Sequence, residues 1–148
     1  MKGQLIVHLG PPKTATTSLQ QYWSSLSISG FKYLGIIHPR DSTFLVNKLY
    51  NYVSSKADNS LYENELMNSI EVALFKYKYV VISEEMFVLE QSRASYLHKL
   101  RALSRVIVRF DPIITYCFRN ADEIYFSYYV EIFKALPRNL QNSFEKFQ

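Results

Sequence analysis

Along the chain, short β-branched apolar runs alternate with segments whose apolar residues recur at helical spacing. Gln4–Leu9 (QLIVHL) ends at Gly10 and reads as a buried strand. From Thr16 to about Ser27, residues Leu19, Tyr22, Trp23 and Leu26 follow the helical period. Phe31–His38 (FKYLGIIH), closed by Pro39, predicts a second strand. Helical patterns follow at Thr43–Ser54 and at Tyr62–Tyr77, the latter with Leu66, Ile70, Ala73, Leu74 and Tyr77 on one side. Lys78–Ser83 (KYVVIS) predicts a third strand. Arg93–Phe110 places Leu97, Leu100, Leu103, Ile107 and Phe110 at helical spacing, although Val106–Val108 alone also fits a strand. Asp111-Pro112 stops that pattern. Ile113–Phe118 (IITYCF) predicts a fourth strand, followed by Arg119 and a helix from about Asp122 to Ala135.

Strands alternating with helices imply βαβ units with right-handed crossovers. The expected fold class is α/β, in three layers, with a central parallel sheet of about four strands flanked by helices. One domain spanning 1–148 suits the length. Ser143–Gln148 (SFEKFQ) opens another amphipathic pattern that stops after one turn, so a domain cut short at its C-terminal side is expected.

Charge narrows the ligand class. The net charge is +4, with no tail or stripe of Lys and Arg, which suits an anionic small ligand better than a nucleic acid. A single cysteine, Cys117, excludes an intramolecular disulfide framework and sits in an apolar run, as a buried thiol does. His8, His38 and His98 are too far apart for metal-ligand spacing, so no metal is expected, and His8, inside the first strand, reads as a hydrogen-bonded core histidine. No apolar stretch approaches the roughly 20 residues of a membrane span. The first strand begins by about residue 4, ahead of which no signal peptide fits. A soluble, cytoplasmic protein without a membrane partner is the expectation.

The candidate chemistry lies where the first strand hands over to its helix. Pro11-Pro12-Lys13-Thr14-Ala15-Thr16-Thr17-Ser18 is a polar turn beyond a strand's carboxyl end, where open α/β sheets bind ligands. A helix opening there presents free amide N–H groups and the positive end of its dipole. Lys13 adds a mobile charge, and Thr14, Thr16, Thr17 and Ser18 add hydroxyl donors. The nucleotide-triphosphate loop pattern is not met, because the lysine follows Gly10 by three residues with no second glycine before it. That disfavours a small P-loop kinase.

The order strand, His-Leu-Gly-Pro-Pro-Lys-Thr-Ala-Thr-Thr-Ser-Leu-Gln, helix resembles the 5′-phosphosulfate-binding loop of sulfotransferases, bacterial and carbohydrate-type enzymes among them. The usual form there is Lys-Thr/Ser-Gly-Thr-Thr, and Ala15 stands at the glycine. An alanine held at positive φ costs roughly 1 kcal/mol. The family also holds a 3′-phosphate with an arginine at the end of a later strand and a serine eight residues on. Arg119 and Ser127 stand at that spacing. Ser83-Glu84-Glu85-Met86-Phe87 is similar to a stretch whose carboxylate acts as base, with Glu85 in the better register and Glu84 the reserve.

The resemblance runs from about residue 4 to 134 and implies a P-loop-like, nucleotide-kinase-type fold. It implies transfer of a sulfuryl group from 3′-phosphoadenosine 5′-phosphosulfate (PAPS) to a hydroxyl or amine of a small-molecule or glycan acceptor, leaving adenosine 3′,5′-bisphosphate (PAP). Pro12, Lys13, Thr14, Ala15, Thr16, Thr17, Ser18, Arg119 and Ser127 would bind the cofactor, with Lys13 and Glu85 catalytic. The family's C-terminal portion, which adds a further strand, cleft-closing helices and a loop over the nucleotide, has no counterpart here. The alternative is therefore a non-catalytic PAPS- or PAP-binding or interaction module.

Overall fold

Apart from the run over Phe31–His38, the apolar runs and helical periods of the sequence become elements of their expected type in the computed structural model, which describes residues 3–37, 41–42, 44–55 and 60–135. In chain order the elements are β1 (Gln4–Leu9), α1 (Thr16–Ser25), β2 (Phe31–Tyr33), β3 (Ile36–Ile37), β4 (Asp41–Ser42), α2 (Phe44–Ser54), α3 (Ser60–Lys76), β5 (Tyr79–Ser83), α4 (Tyr96–Ile107), β6 (Ile113–Tyr116) and α5 (Ala121–Ile132). Single 3-10 turns cover Glu85–Phe87, Val108–Phe110 and Phe133–Ala135. Val106–Val108, which alone also fitted a strand, is thus helical, in keeping with the helical period expected over Arg93–Phe110. His38, Pro39, Thr43 and Ser143–Gln148 lie outside the described residues.

The protein is α/β, with a four-stranded parallel sheet of order β2-β5-β1-β6 flanked by helices. The chain leaves β1 toward β2, whereas it leaves β5 in the opposite direction, over β1, to reach β6. Adjacent strands whose connections run in opposite directions open a crevice at their carboxyl ends. Here that crevice lies between the ends of β1 and β5.

Alternation along each strand assigns its two faces. Leu5, Val7 and Leu9 of β1, with Val80 and Ile82 of β5, join one apolar cluster with Val46, Leu49, Leu66, Ile70, Leu74, Leu103 and Val106 from α2, α3 and α4. Ser95 caps α4 by accepting from the His98 amide, satisfying one otherwise orphan donor. The opposite face is covered by α1, whose inward positions are Thr16, Gln20 and Trp23. Trp23 packs edge-on against His8 and, tilted, against Tyr33, whereas Tyr22 of the expected apolar stripe is exposed.

Two expectations change. The strand foreseen over Phe31–His38 breaks after Tyr33, and Ile36–Ile37 pairs antiparallel with Asp41–Ser42 in a separate ribbon. Tyr33 folds back to donate to the Ile36 carbonyl at 2.8 Å. Its ring lies where a Cβ on Gly35 would come within 2.3 Å of the hydroxyl, so only glycine admits this fold. In α4 the inward register includes Lys99 with Ala102, Leu103, Val106 and Ile107, while Leu97 is exposed.

On the far side of β1, β6 is an edge strand whose four residues are all exposed, and no described residue of α5 is buried. No helix among the described residues is long and apolar enough to cross a membrane.

Candidate functional site

The loop after β1 is held by its own short polar side chains. Thr14 is buried and its hydroxyl donates to the Pro11 carbonyl at 2.7 Å. Thr16, also buried, donates to Glu85 Oε2 at 3.0 Å, tying the start of α1 to the turn after β5. These two hydroxyls therefore brace the loop from within. Thr17 and Ser18 lie exposed on the first turn of α1, and Pro12 is half-buried. Gly10 starts the loop where a Cβ would meet Thr14 Oγ1 at 3.0 Å and the Cys117 Cβ at 3.2 Å.

The backbone takes an uncommon path. Lys13 (φ 69°) and Ala15 (φ 63°) both adopt left-handed conformations. Neither is glycine, and the steric cost is roughly 1–2 kcal/mol per residue. Left-handed residues interspersed in a turn build the concave arrays of amide N–H groups that hold anions. Ala15 is also the N-cap of α1 and supplies no side-chain cap, and no acidic residue sits in the helix's first turn. The positive end of the α1 dipole thus carries no intramolecular carboxylate of its own helix.

Two cations converge on this loop. The Lys13 ammonium pairs with Glu131 of α5 and lies 5.6 Å from the centre of the Tyr128 ring. Arg119, just past β6, donates from Nη1 to the Lys13 carbonyl at 3.1 Å and from Nε to Glu123 Oε2 at 2.8 Å. The contact spans 106 positions of sequence and exists because β6 pairs directly with β1, Leu9 opposite Tyr116. Asn120 caps α5 by accepting from the Asp122 amide. Glu123, Ser127 and Glu131 then follow at four-residue intervals, one face of a helix. Half-buried Ser127 lies one turn from each of the carboxylates that hold the two cations.

The carboxylates after β5 divide their roles. Glu84 is buried and accepts from the Met86 amide at 2.8 Å, capping the 3-10 turn. Glu85 is half-buried and meets the loop through Thr16. Tyr128 completes the group: burial first, then the negative charge of Glu85, push its hydroxyl pKa up against the pull of Lys13.

Beneath the loop runs a polar network. His8 Nδ1 lies 2.9 Å from Ser83 Oγ, which also accepts from Gln20 Nε2 at 3.1 Å, and His8 Nε2 lies 3.1 Å from Cys117 Sγ. His8 is a buried, hydrogen-bonded core residue as expected, and burial lowers its pKa from the ordinary 6.5. Cys117 is half-buried rather than fully buried.

Lys13, Glu85, Arg119 and Ser127 were expected from the sequence, as was a hydrogen-bonded His8; Tyr128, Glu123, Glu131 and the Ser83, Gln20 and Cys117 partners in the network below were not. The four-residue series running from Arg119 through Glu123 and Ser127 to Glu131 was the legible signal for the two acids. Among the described residues no group of three or more His, Cys, Asp or Glu is arranged to hold a metal ion. Comparison with protein-family models, with curated proteins and with solved structures finds no match to this chain.

Proposed function

We propose that this chain is a P-loop-like sulfotransferase domain that binds PAPS at the loop following β1 and transfers its sulfuryl group to a hydroxyl or amine. The observation that carries the proposal is the Arg119–Lys13 contact, which joins two cations recognised at separate places in the sequence to one loop. The donor set fits a doubly phosphorylated nucleotide. The uncapped first turn of α1 and the Lys13 ammonium suit the 5′-phosphosulfate. Arg119, with its fixed fork of donors, suits the 3′-phosphate, with Ser127 beside it. Glu123 and Glu131 now hold these cations, but their side chains are 61% and 56% exposed. Exposed pairs of this kind are worth little, so a phosphate exchanges with them readily.

Bound there, the cofactor supplies the sulfuryl group, and PAP is the leaving product. Lys13 neutralises the charge that grows on the departing phosphate. Glu85, oriented by the Thr16 hydroxyl, accepts the acceptor's proton. The remaining work of the chain is placement of the reactants. A second reading, a binding module without turnover, is favoured by α5, which buries no described residue.

Calorimetry with PAP, ATP and AMP tests the binding claim. PAP should bind roughly 10- to 100-fold more tightly than AMP, the value of charge-assisted bonds to one added phosphate. Arg119→Ala should remove that advantage and leave AMP binding unchanged; equal losses for both ligands would refute the 3′-phosphate assignment. ATP binding as tight as PAP would point to a kinase. Transfer of labelled sulfate to an acceptor panel separates enzyme from binder.

A further inference from the structure

Lys99 has no exposed surface, a rare state for lysine. It projects from the first turn of α4, and its ammonium donates to the Met86 carbonyl at 2.9 Å, the Leu89 carbonyl at 2.9 Å and Gln91 Oε1 at 2.5 Å. Three donors meet three acceptors. Gln91 Oε1 also accepts from the Tyr50 hydroxyl at 3.0 Å, and the Tyr50 ring centre lies 5.6 Å from Nζ. All three acceptors belong to the segment leaving β5, the one that opens with Glu84 and Glu85.

Beyond a 3-10 turn over Glu85–Phe87 that segment has no regular element of its own before α4. The Phe87 and Val88 amides reach the Glu84 and Glu85 carbonyls at 3.4 and 3.3 Å, both long, and Gln91 and Ala94 form an isolated bridge. Burial lowers the Lys99 pKa, with the charges of Tyr50 and Glu84 acting the other way. A buried ammonium is a poor way to gain stability, since an apolar side chain in the same register fills the core without desolvating a charge. Its three bonds instead set the path of the chain from Met86 to Gln91.

We propose that Lys99 is a positioning residue: a buried ammonium that gathers two carbonyls and one side-chain amide and so fixes the turn that sets Glu85 against Thr16. The catalytic consequence rests on the sulfotransferase reading above; the structural one does not.

Lys99→Met removes the donors while keeping the bulk, and Lys99→Gln keeps one donating group. Amide hydrogen exchange is followed at Met86, Phe87 and Val88, with Val80–Ile82 of β5 as reference. In Lys99→Met the three turn amides should exchange about tenfold faster while β5 stays unchanged, and Lys99→Gln should lie between. Turnover should fall about 100-fold, with donor KM and PAP affinity unchanged. Unchanged exchange at 86–88, a rise extending through β5, PAP affinity falling in step with turnover, or loss of the fold in both variants would each overturn the proposal. If the wild-type chain neither binds PAP nor transfers sulfate, the sulfotransferase reading fails, and the exchange comparison still decides the role of Lys99.

Discussion

One set of strands builds two unlike surfaces. Under α2, α3 and α4 the sheet shows Leu5, Val7, Leu9, Val80 and Ile82, packed into a continuous apolar cluster. Under α1 the same strands show His8 and Ser83, which bond each other, with Ser83 also bonded to Gln20 of α1, while Thr16 at the start of α1 donates to Glu85 just past β5. Alternation by one residue along β1 separates the two. The apolar face supplies most of the burial that stabilises the fold. The polar face lies directly below the loop that gathers Lys13, Arg119 and Glu85, where buried donors and acceptors fix positions that apolar contacts leave free to slide. Stability and site are thus divided between the two sides of one sheet.

That division can be broken or sharpened by experiment. The largest effect is expected from Leu49→Ala in α2, which empties fully buried space on the apolar side. It should cost about 2–5 kcal/mol of unfolding free energy in chemical denaturation. PAP affinity of the folded fraction should stay within about twofold of wild type by the independence of distant sites; a parallel loss of affinity would show that the faces are not separable.

Lys13→Ala should do the reverse. Labelled-sulfate transfer should drop by roughly 10²- to 10³-fold, as for loss of one charge-stabilising group. Its ion pair with Glu131 is partly exposed, so the unfolding free energy should move by less than about 1 kcal/mol. Retained turnover would remove Lys13 from the chemistry.

A smaller effect distinguishes the polar face by pH. Burial depresses the His8 pKa below 6.5, so near that pH the unfolded chain binds more protons than the folded one. The stability contributed by neutral His8 is complete above pH 6.5 and is lost as pH falls through the folded-state pKa. Thermal melting across this acid range should therefore decline in wild type and flatten in His8→Gln, with no such flattening in Leu49→Ala.

The smallest effect concerns backbone strain at the site. Ala15→Gly relieves the left-handed alanine at φ 63° but loosens the unfolded chain. A net gain of about 0.5 kcal/mol is expected from denaturant midpoints. A loss would mean that the loop does not hold this conformation in solution.

The pattern of the chain alone announced the element types and their order. β-Branched runs and helical periods are local signals; Lys13 stood out as a cation in the polar turn after the first strand, whereas Glu85, Arg119 and Ser127 were singled out by the resemblance to sulfotransferases. The resemblance also implied strain at Ala15, because the sulfotransferase loop usually has glycine there. Other features depended on contacts far apart in sequence. The strand foreseen over Phe31–His38 broke because the Tyr33 ring folds over Gly35. Thr14 and Thr16 turned inward to brace the loop instead of lying open on it. Lys99, a residue whose type argues for solvent, took a core register because three acceptors from the turn after β5 await it there. Above all, the strand order put β6 beside β1 and so brought Arg119 to the Lys13 carbonyl. Periodicity records which way a side chain points from its own element. Which partner it meets is decided by how strands pair across the sheet, and that pairing leaves no periodic trace in the chain.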